Sequence, residues 1–297
     1  MIIFYLLKES FVFALNSLVL NKLRTFLSLL GITIGIFTII TVFTVIDSLE
    51  DSIRNSISKL GDNVVYVQKW PWSMGGEYPW WKYLNRPVPR LNESREIMRR
   101  SKLAKAATFM IFTQKTIQYR DNYANNIQIV GAEHTYEDIR SFEISNGRYF
   151  SMFESHHGKN RAIVGSEIAN QLFQEENPVG KTIKIQGRKL LVVGIFKKEG
   201  EDMFGMNMDN QVLIPINYAK TIVDIKNERL GPLVMVKANE GISANELIDE
   251  LTGIMRSIRK IRPTADDNFA LNQSSLISQG FDDIFSFIDI VGAIIGG

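Results

Sequence analysis

The sequence predicts an α+β protein with three parts in order. An N-terminal transmembrane helix comes first, a two-lobed mixed α/β domain outside the cytoplasm follows, and the start of a second transmembrane helix comes last. Three observations support this prediction: an uncharged apolar run at 25–46, alternating strand-like and helix-like segments over 48–280, and a return to Ile, Val, Gly and Ala at the end.

Composition excludes several classes of protein. The 297 residues carry 34 Lys and Arg against 32 Asp and Glu, a net charge of +2. This balance gives no support for nucleic acid as a partner, because nucleic-acid binding requires a concentrated basic surface. The absence of cysteine excludes disulfides and cysteine-ligated zinc.

The run TFLSLLGITIGIFTIITVFTVI at 25–46 contains no charged residue, and a helix of about 20 such residues crosses a bilayer. Lys22 and Arg24 precede the run and Asp47 follows it, so the positive-inside rule places the N-terminus in the cytoplasm. A cleaved signal peptide would have a shorter apolar core and a small-residue cleavage site. We therefore predict an uncleaved transmembrane helix over 22–47.

Residues 1–21 are also apolar, with Lys8, Glu9, Asn16 and Ser17 near one face. This pattern favours an amphipathic helix on the cytoplasmic surface of the membrane. An extension of the membrane helix is the alternative, and no sequence feature excludes it.

Gly31 and Gly35 form a GxxxG pattern inside the apolar run. Small residues at this spacing allow two membrane helices to approach closely, so we predict that this face packs against another membrane helix. Glycine is also common in membrane helices without such a role.

Residues 48–280 contain the pattern of a folded domain, with an outer lobe at about 120–220 inserted in a membrane-proximal lobe. A helix over 47–60, ended by Gly61, leads into it. Predicted strands cover 63–68, 108–119, 126–130, 161–165, 182–185, 189–196, 211–215, 233–237 and 269–271. Predicted helices cover 166–173, 243–259 and a segment starting at 218–223.

The segment NPVGKTIKI at 177–185 contains Gly180, Lys181 and Thr182, the last three residues of a phosphate-binding loop. The complete pattern requires glycine where Glu175 stands, and a strand before and a helix after it. Here the predicted order is helix, turn and strand. ATP hydrolysis is therefore expected on another chain, and we predict no cofactor.

Residues 281–297 (FDDIFSFIDIVGAIIGG) contain too few apolar residues after Asp289 to cross a bilayer. We expect this segment to be the start of a second transmembrane helix that is cut short.

Several segments, in this order, resemble MacB/FtsX-type ABC transporter permeases. They are NKLRTFLSLLGITIGIF at 21–37, GDNVVYV at 61–67, GRYF at 147–150, RAIVGSEIANQLF with NPVGKTIKIQGRKLLVVGIF within 161–196, and DNQVLIPINYA at 209–219. Each segment is weak alone, but the ordered set covers nearly the whole chain.

The resemblance implies a permease subunit in the inner (plasma) membrane with its main domain periplasmic. It implies a cytoplasmic ABC ATPase as partner, a homodimer or permease heterodimer, and a periplasmic adaptor with an outer-membrane channel. In MacB-like members, ATP-driven motion of the helices reaches the outer domain and drives efflux, whereas other relatives release lipoproteins or activate cell-wall hydrolases. A membrane-anchored sensor or binding module without transport is the alternative, and an anchored enzyme is a weaker third.

The four tryptophans of the chain, Trp70, Trp72, Trp80 and Trp81, lie within twelve residues of one another. Aromatic-rich loops occur at protein–protein contacts and at membrane interfaces, so these residues are candidates for contact with a partner or substrate. The alternative is a loop whose rings pack onto its own domain.

No candidate catalytic or metal site emerges. Met203, Met206 and Met208 have thioethers but no Cys or His beside them to favour copper, so we interpret the segment as a mobile loop. His156 and His157 lie in a polar turn without further ligands. The acidic pairs at 175–176 and 266–267 are expected at the solvated surface.

Overall fold

The computed structural model describes residues 5–6, 9–13, 20–58, 63–73, 78–174, 176–200 and 208–296. The chain forms two compact units. One combines Met1–Ser52 with Phe287–Gly297, and the other is Ile53–Ser286.

Along the described residues, helices come before, between and after the strands of a mixed sheet. In chain order they are α1 (Lys22–Ser58), α2 (Leu91–Arg100), α3 (Tyr136–Ile139), α4 (Met152–His156), α5 (Ser166–Phe173), α6 (Ile216–Ala219), α7 (Ala244–Ile258) and α8 (Ser274–Gly296). Two 3-10 turns lie at Trp80–Lys82 and Glu228–Leu230.

The strands of the described residues are β1 (Val64–Gln68), β2 (Ala104–Tyr119), β3 (Asn122–Ala132), β4 (Ile144–Gly147), β5 (Arg161–Val164), β6 (Thr182–Ile185), β7 (Arg188–Phe196), β8 (Gln211–Pro215), β9 (Leu233–Ala238) and β10 (Ala270–Gln273). Their order in the sheet is β10-β1-β9-β2-β3-β8-β5-β7-β4, and β6 pairs with both β2 and β7.

The pairing of β6 closes part of the sheet into a ring. The C-terminal end of β2 pairs with β6 through Ile117 and Ile185, and β6 pairs with β7 in a hairpin. The circuit β2-β3-β8-β5-β7-β6 then returns to β2. Closure removes free edges from these strands. From the N-terminal half of β2, strands β9, β1 and β10 continue as an open sheet.

The ring strands β5 to β8 fall within 161–215, inside the range predicted for an outer lobe. The long β2–β3 hairpin belongs to both the ring and the open sheet, so a single sheet runs through Ile53–Ser286. The division into lobes at about 120 and 220 stays a prediction.

Alternation along the strands produces a separate apolar core on each face of the sheet. On β2, Phe109 and Ile111 point to the face that α2, α5, α6 and α7 cover, whereas Met110 contributes to the opposite core. The second core contains Phe150 and Phe196, and Phe196 is fully buried.

Most predicted strands and helices are confirmed to within a few residues. The helix over 166–173 and the strands over 182–185 and 211–215 have the predicted bounds. Ser243 caps α7 by accepting a hydrogen bond from the backbone N–H of Glu246 at 3.2 Å, and the Glu246 carboxylate accepts from the backbone N–H of Ser243 at 2.8 Å.

Some predicted boundaries are wrong. The helix expected from 218 begins at Ile216 and ends at Ala219, because Pro215 at its N-cap has a fixed φ and marks the start. The last strand is Ala270–Gln273 rather than 269–271. The strands expected at 108–119 and 126–130 are longer, since their pairing runs from Met110↔Ala132 to Tyr119↔Asn122.

The sequence prediction missed α2, α3, α4 and β4. The longest of these, α2, follows Pro87 and Pro89 and has only Leu91, Ile97 and Met98 as apolar residues. A capping box at Arg90 and Glu93 marks its start, with the Glu93 carboxylate accepting from the backbone N–H of Arg90 at 3.0 Å. Arg90 lacks the side chain that normally signals a helix N-terminus, and this explains the omission.

The unit formed by the two ends of the chain contains most of α1 and the end of α8. Within the described residues, one helix, Lys22–Ile57, is long and apolar enough to cross a membrane. The predicted membrane helix at 22–47 and the predicted helix at 47–60 are one continuous helix to Ser58, and the predicted stop at Gly61 lies outside the described residues.

Gly292 of α8 lies against Phe43 of α1. A Cβ atom at Gly292 would stand 2.2 Å from Cζ of Phe43, so only glycine permits this approach of the ring. The helix α8 begins at Ser274, before the predicted position 281. In the N-terminal segment, Tyr5–Leu6 and Glu9–Phe13 are helical, while Lys8, Asn16 and Ser17 lie outside the described residues.

Candidate interaction surfaces

The aromatic segment divides into a packed part and an exposed part. Trp72 lies against Tyr66 of β1 with ring centroids 5.0 Å apart, and its backbone N–H donates to Oδ1 of Asn272 at 2.9 Å. The Asn272 side chain also donates to the backbone carbonyl of Trp70 at 3.0 Å. The Trp72 ring therefore packs on its own domain, and the backbone of Trp70 is held there by Asn272.

Trp80 and Trp81 have a different environment. They form the 3-10 turn with Lys82, with ring centroids 6.0 Å apart in an edge-to-face arrangement, and they are 54% and 57% exposed. Neighbouring Leu84 is also exposed. Large exposed aromatic side chains occur at binding surfaces, so these two tryptophans remain the candidates for partner contact.

Buried Lys69 fixes the start of the aromatic segment. Its Nζ atom lies 2.5 Å from Oε1 of Glu228 and 5.1 Å from the ring centroid of Trp70. The end of the segment returns to the same place, since Arg86 stacks on Tyr83 at 4.5 Å and donates to the backbone carbonyl of Lys69 at 3.5 Å. The two ends of the aromatic segment are thus held together at Lys69, and the exposed turn at Trp80–Lys82 lies between them.

Gly31 and Gly35 lie in the exposed part of α1, and no heavy atom lies within 4 Å of a Cβ built at either position. The face is open to a second helix within the described residues. Packing of this face against another membrane helix stays a prediction.

The described residues contain no group of three or more His, Cys, Asp or Glu side chains that could hold a metal ion. His156 ends α4 and His157 caps it, stacking on Phe153 with centroids 4.1 Å apart. Met208 is fully buried against Gln211 rather than part of a mobile surface. Met203 and Met206 lie outside the described residues.

Carboxylates expected to be merely solvated form ion pairs. Glu176 accepts from the hydroxyl of Tyr119 at 3.0 Å and from Arg120 at 2.7 Å, and these hydrogen bonds lower the pKa of its carboxyl group. Asp267 pairs with Arg256 at 2.5 Å. Glu175 lies outside the described residues.

The Gly180 turn has the order that the sequence predicted, with α5 before it and β6 after it. Gly180 has a φ of +85°, and its N–H donates to the carbonyl of Val192 at 2.9 Å. The N–H therefore stabilises the fold rather than being free to bind phosphate.

A buried polar cluster on the second core was not found by sequence reasoning. Arg140 lies 3.5 Å from Glu199, and both side chains are largely buried. Burial raises the pKa of Tyr66, Tyr136 and Tyr149, so these phenols stay protonated. The residues come from β1, α3 with the residue after it, the segment between β4 and α4, and the segment after β7, and no local spacing links them.

The sequence pattern of the MacB-like periplasmic core domain family matches residues 25–254. This span covers the membrane run, the whole ring and most of α7.

Curated relatives extend beyond this chain. A protein of Neisseria meningitidis named macrolide export ATP-binding/permease protein MacB is 24% identical over 97% of this chain and 44% of its own length. A protein of the same name from Chlorobium luteolum is 27% identical over 90% of this chain and 39% of its own length. The chain thus spans less than half the length of these relatives.

Two solved structures share the fold. The periplasmic region of MacB from Actinobacillus actinomycetemcomitans matches 76% of this chain and 95% of that structure, with a TM-score of 0.60 and 14% identity. The extracellular domain of the noncanonic ABC-type transporter YknZ from Gram-positive bacteria matches 70% and 99%, with a TM-score of 0.53 and 16% identity.

Proposed function

Because the chain belongs to the MacB-like periplasmic core domain family of MacB/FtsX-type ABC transporter permeases, we propose that it is a permease subunit that moves substrates across the envelope. In this proposal a cytoplasmic ABC ATPase supplies the energy, and the chain transmits motion to its extracytoplasmic domain. The protein works in the inner (plasma) membrane, with the N-terminus cytoplasmic, as a homodimer or permease heterodimer.

The continuity of α1 carries the proposal. One uninterrupted helix contains the apolar run and also Ile53 and Ile57, each 5% exposed in the domain unit. A displacement of the membrane segment is therefore a displacement of residues that belong to the domain core, because a helix transmits axial motion along its hydrogen-bonded length.

The helix α8 provides a second connection. It begins at Ser274 directly after β10, and Arg54 of α1 forms an ion pair with its Asp282 at 2.7 Å. Both side chains are about half exposed, so the pair contributes at most about 1 kcal/mol. An ion pair of that strength can break and re-form during a transport cycle.

The test is isolation of the chain from its natural host. The chromosomal gene is tagged, the product is extracted in mild detergent, and co-purifying proteins are identified by mass spectrometry. We expect an ABC ATPase in stoichiometric amount, either as a separate chain or as part of the same gene product. An unrelated tagged membrane protein from the same host is the control.

Intact, well-folded preparations without any ABC ATPase would contradict the proposal and favour an anchored binding module. An adaptor or outer-membrane channel in the same preparation would support efflux across two membranes. A lipoprotein or a cell-wall hydrolase in their place would support one of the other activities known among relatives.

A further inference from the structure

A cleft of about 330 Å³ lies in the extracytoplasmic domain between α2 and the α4–α6 side of the sheet. Its apolar wall is formed by Met98, Ala107, Met152 and Ile216, and its polar wall includes Arg95 and His134. Volumes of a few hundred Å³ with mostly apolar walls and a few polar groups are typical of small-molecule sites.

Among the described residues that line the cleft, the one carboxylate is Glu133, and it is hydrogen-bonded within the protein. Glu133 accepts from the hydroxyl of Ser94 at 2.6 Å and from the backbone N–H of Phe109 at 2.9 Å. Its other oxygen lies 3.7 Å from Nε of Arg95. These hydrogen bonds hold the Glu133 carboxylate in place beside Arg95 at the wall of the cleft.

Arg95 retains most of its donor capacity. The 3.7 Å contact with Glu133 is its ion pair among the described residues, and its side chain is 62% exposed. A guanidinium group has five N–H donors arranged to match a carboxylate or phosphate. The remaining donors of Arg95 are available to a ligand in the cleft.

His134 adds a buried polar atom. Its Nδ1 atom has no hydrogen-bond partner within the described residues, although the atom is shielded from solvent. The other ring nitrogen lies 3.3 Å from Oε1 of Glu137, and the ring stacks on Tyr149. A buried polar atom without a partner is unfavourable, so a polar group that reached His134 would stabilise the site.

A second cation lies close to Arg95. Lys220 donates to Oδ1 of Asn217, one of the cleft residues, at 2.8 Å. Burial and the charge of Arg95 lower the pKa of Lys220, and the nearby Glu133 carboxylate opposes this shift in part. An anion near the two cations would relieve their repulsion.

We propose that this cleft binds a small organic anion, a carboxylate or phosphate with an apolar body. The anionic group of the ligand pairs with Arg95 near Lys220, and a polar atom of the ligand contacts His134. The apolar body of the ligand lies against Met98 and Met152. Methionine side chains adapt to ligands of different shape. At about 330 Å³, the cleft is at the lower end of the size range of small-molecule sites.

The test uses 4-fluorobenzoate and 4-fluorophenyl phosphate as probes, followed by ¹⁹F NMR with the full chain in lipid nanodiscs. Empty nanodiscs correct for partition into lipid. We expect saturable binding of at least one anion, and about tenfold weaker binding of 4-fluorobenzamide, which has the same shape without the charge.

Arg95→Gln is expected to weaken binding of the anion about tenfold, since it removes the charged donor. Arg99→Gln is the matched control, because Arg99 lies one turn away on α2, is similarly exposed and pairs with Glu96. Lys220→Gln is an independent second variant, expected to weaken binding severalfold through the loss of its charge.

Equal binding of the amide and the carboxylate would overturn the proposal, as would unchanged anion binding in both Arg95→Gln and Lys220→Gln. A complete lack of saturable binding would also overturn it. These measurements require no ATPase and no transport. Ligand binding can therefore fail while the proposed permease function stands, and the permease function can fail while ligand binding stands.

Discussion

Gly165 and Gly180 both require glycine, but for different physical reasons. Gly165 has an ordinary φ of −64°, yet a Cβ there would lie 2.1 Å from the backbone oxygen of Asp209. Gly180 has a φ of +85°, and no atom lies within 4 Å of its Cβ position. The first glycine permits a close backbone approach, and the second permits a left-handed turn.

Gly165→Ala is therefore expected to destabilise the protein by about 3 kcal/mol, because the backbone of β8 or α5 must move. Gly180→Ala costs only about 1–2 kcal/mol, the strain of an alanine in left-handed conformation. Thermal unfolding of both variants measures the difference. An equal shift in Tm would show that packing at Gly165 is looser than the structure indicates.

At the scale of single elements, the short helix α4 depends on one carboxylate. Glu154 accepts from the backbone N–H of Ser151, from Arg148 at 2.7 and 2.9 Å, and from Arg161 at 2.9 Å. These donors hold the pKa of Glu154 well below its usual range, with the hydrogen bond from Arg148 as the largest cause. A five-residue helix has little stability of its own, so this network fixes its position.

Protonation of Glu154 should weaken the fold at acid pH. Its pKa is lower in the folded state than in the unfolded chain, so the stabilisation is present above about pH 4 and is lost as pH falls through the folded pKa. We expect Glu154→Gln to lower the free energy of unfolding at pH 7, and the gap from wild type to narrow progressively below about pH 4.

Denaturant unfolding at several pH values measures this gap. Glu143→Gln is the matched control, because Glu143 pairs with Lys197 at 2.6 Å but both side chains are more than half exposed. An exposed pair of this kind contributes about 0–1 kcal/mol. A gap for Glu154→Gln that stays constant down to pH 2 would show that the carboxylate acts through shape rather than charge.

At the scale of the whole molecule, substitutions in the aromatic segment are expected to affect stability at one position and activity at others. Replacing Trp72 removes contacts with Tyr66 and the second core, so Trp72→Ala is expected to cost about 2–3 kcal/mol. Trp80→Ala with Trp81→Ala removes exposed rings, and we expect a change in Tm of at most a few degrees together with loss of transport or of partner binding.

The measurement is co-purification of the partners and ATP-dependent transport in the host, beside thermal unfolding of the purified chain. A stable Trp80 and Trp81 double variant with full activity would remove the segment from the list of contact surfaces. A replacement of all three tryptophans would not distinguish the two roles, because Trp72 also serves the fold.

The regular segments of this protein could be read from local sequence. The uncharged run at 25–46, the cap at Ser243 and Glu246, and the Gln186–Gly187 turn between β6 and β7 each act over a few residues. Helix α2 was missed because it has no such local signal. Arg90 does not mark a helix start, and the helix is held by packing of Ile97 on the sheet.

The candidate sites depend more strongly on tertiary structure. Sequence spacing grouped four tryptophans, but only the contacts with Tyr66 and Asn272 show that Trp72 is part of the fold and that Trp80 and Trp81 are exposed. The cleft combines residues from α2, β2, the segment after β3, α4 and α6 that stand far apart in the chain, such as Arg95 and Asn217.

By itself the sequence determined the long apolar helix, most strands and the family resemblance, because hydrophobic runs, alternation and turn residues act over short distances. The tertiary structure alone decided the closing of the ring by β6, the separation of the aromatic segment and the position of the cleft. These features depend on pairs such as Ile117 with Ile185, and contacts between distant residues carry no local signal in the sequence.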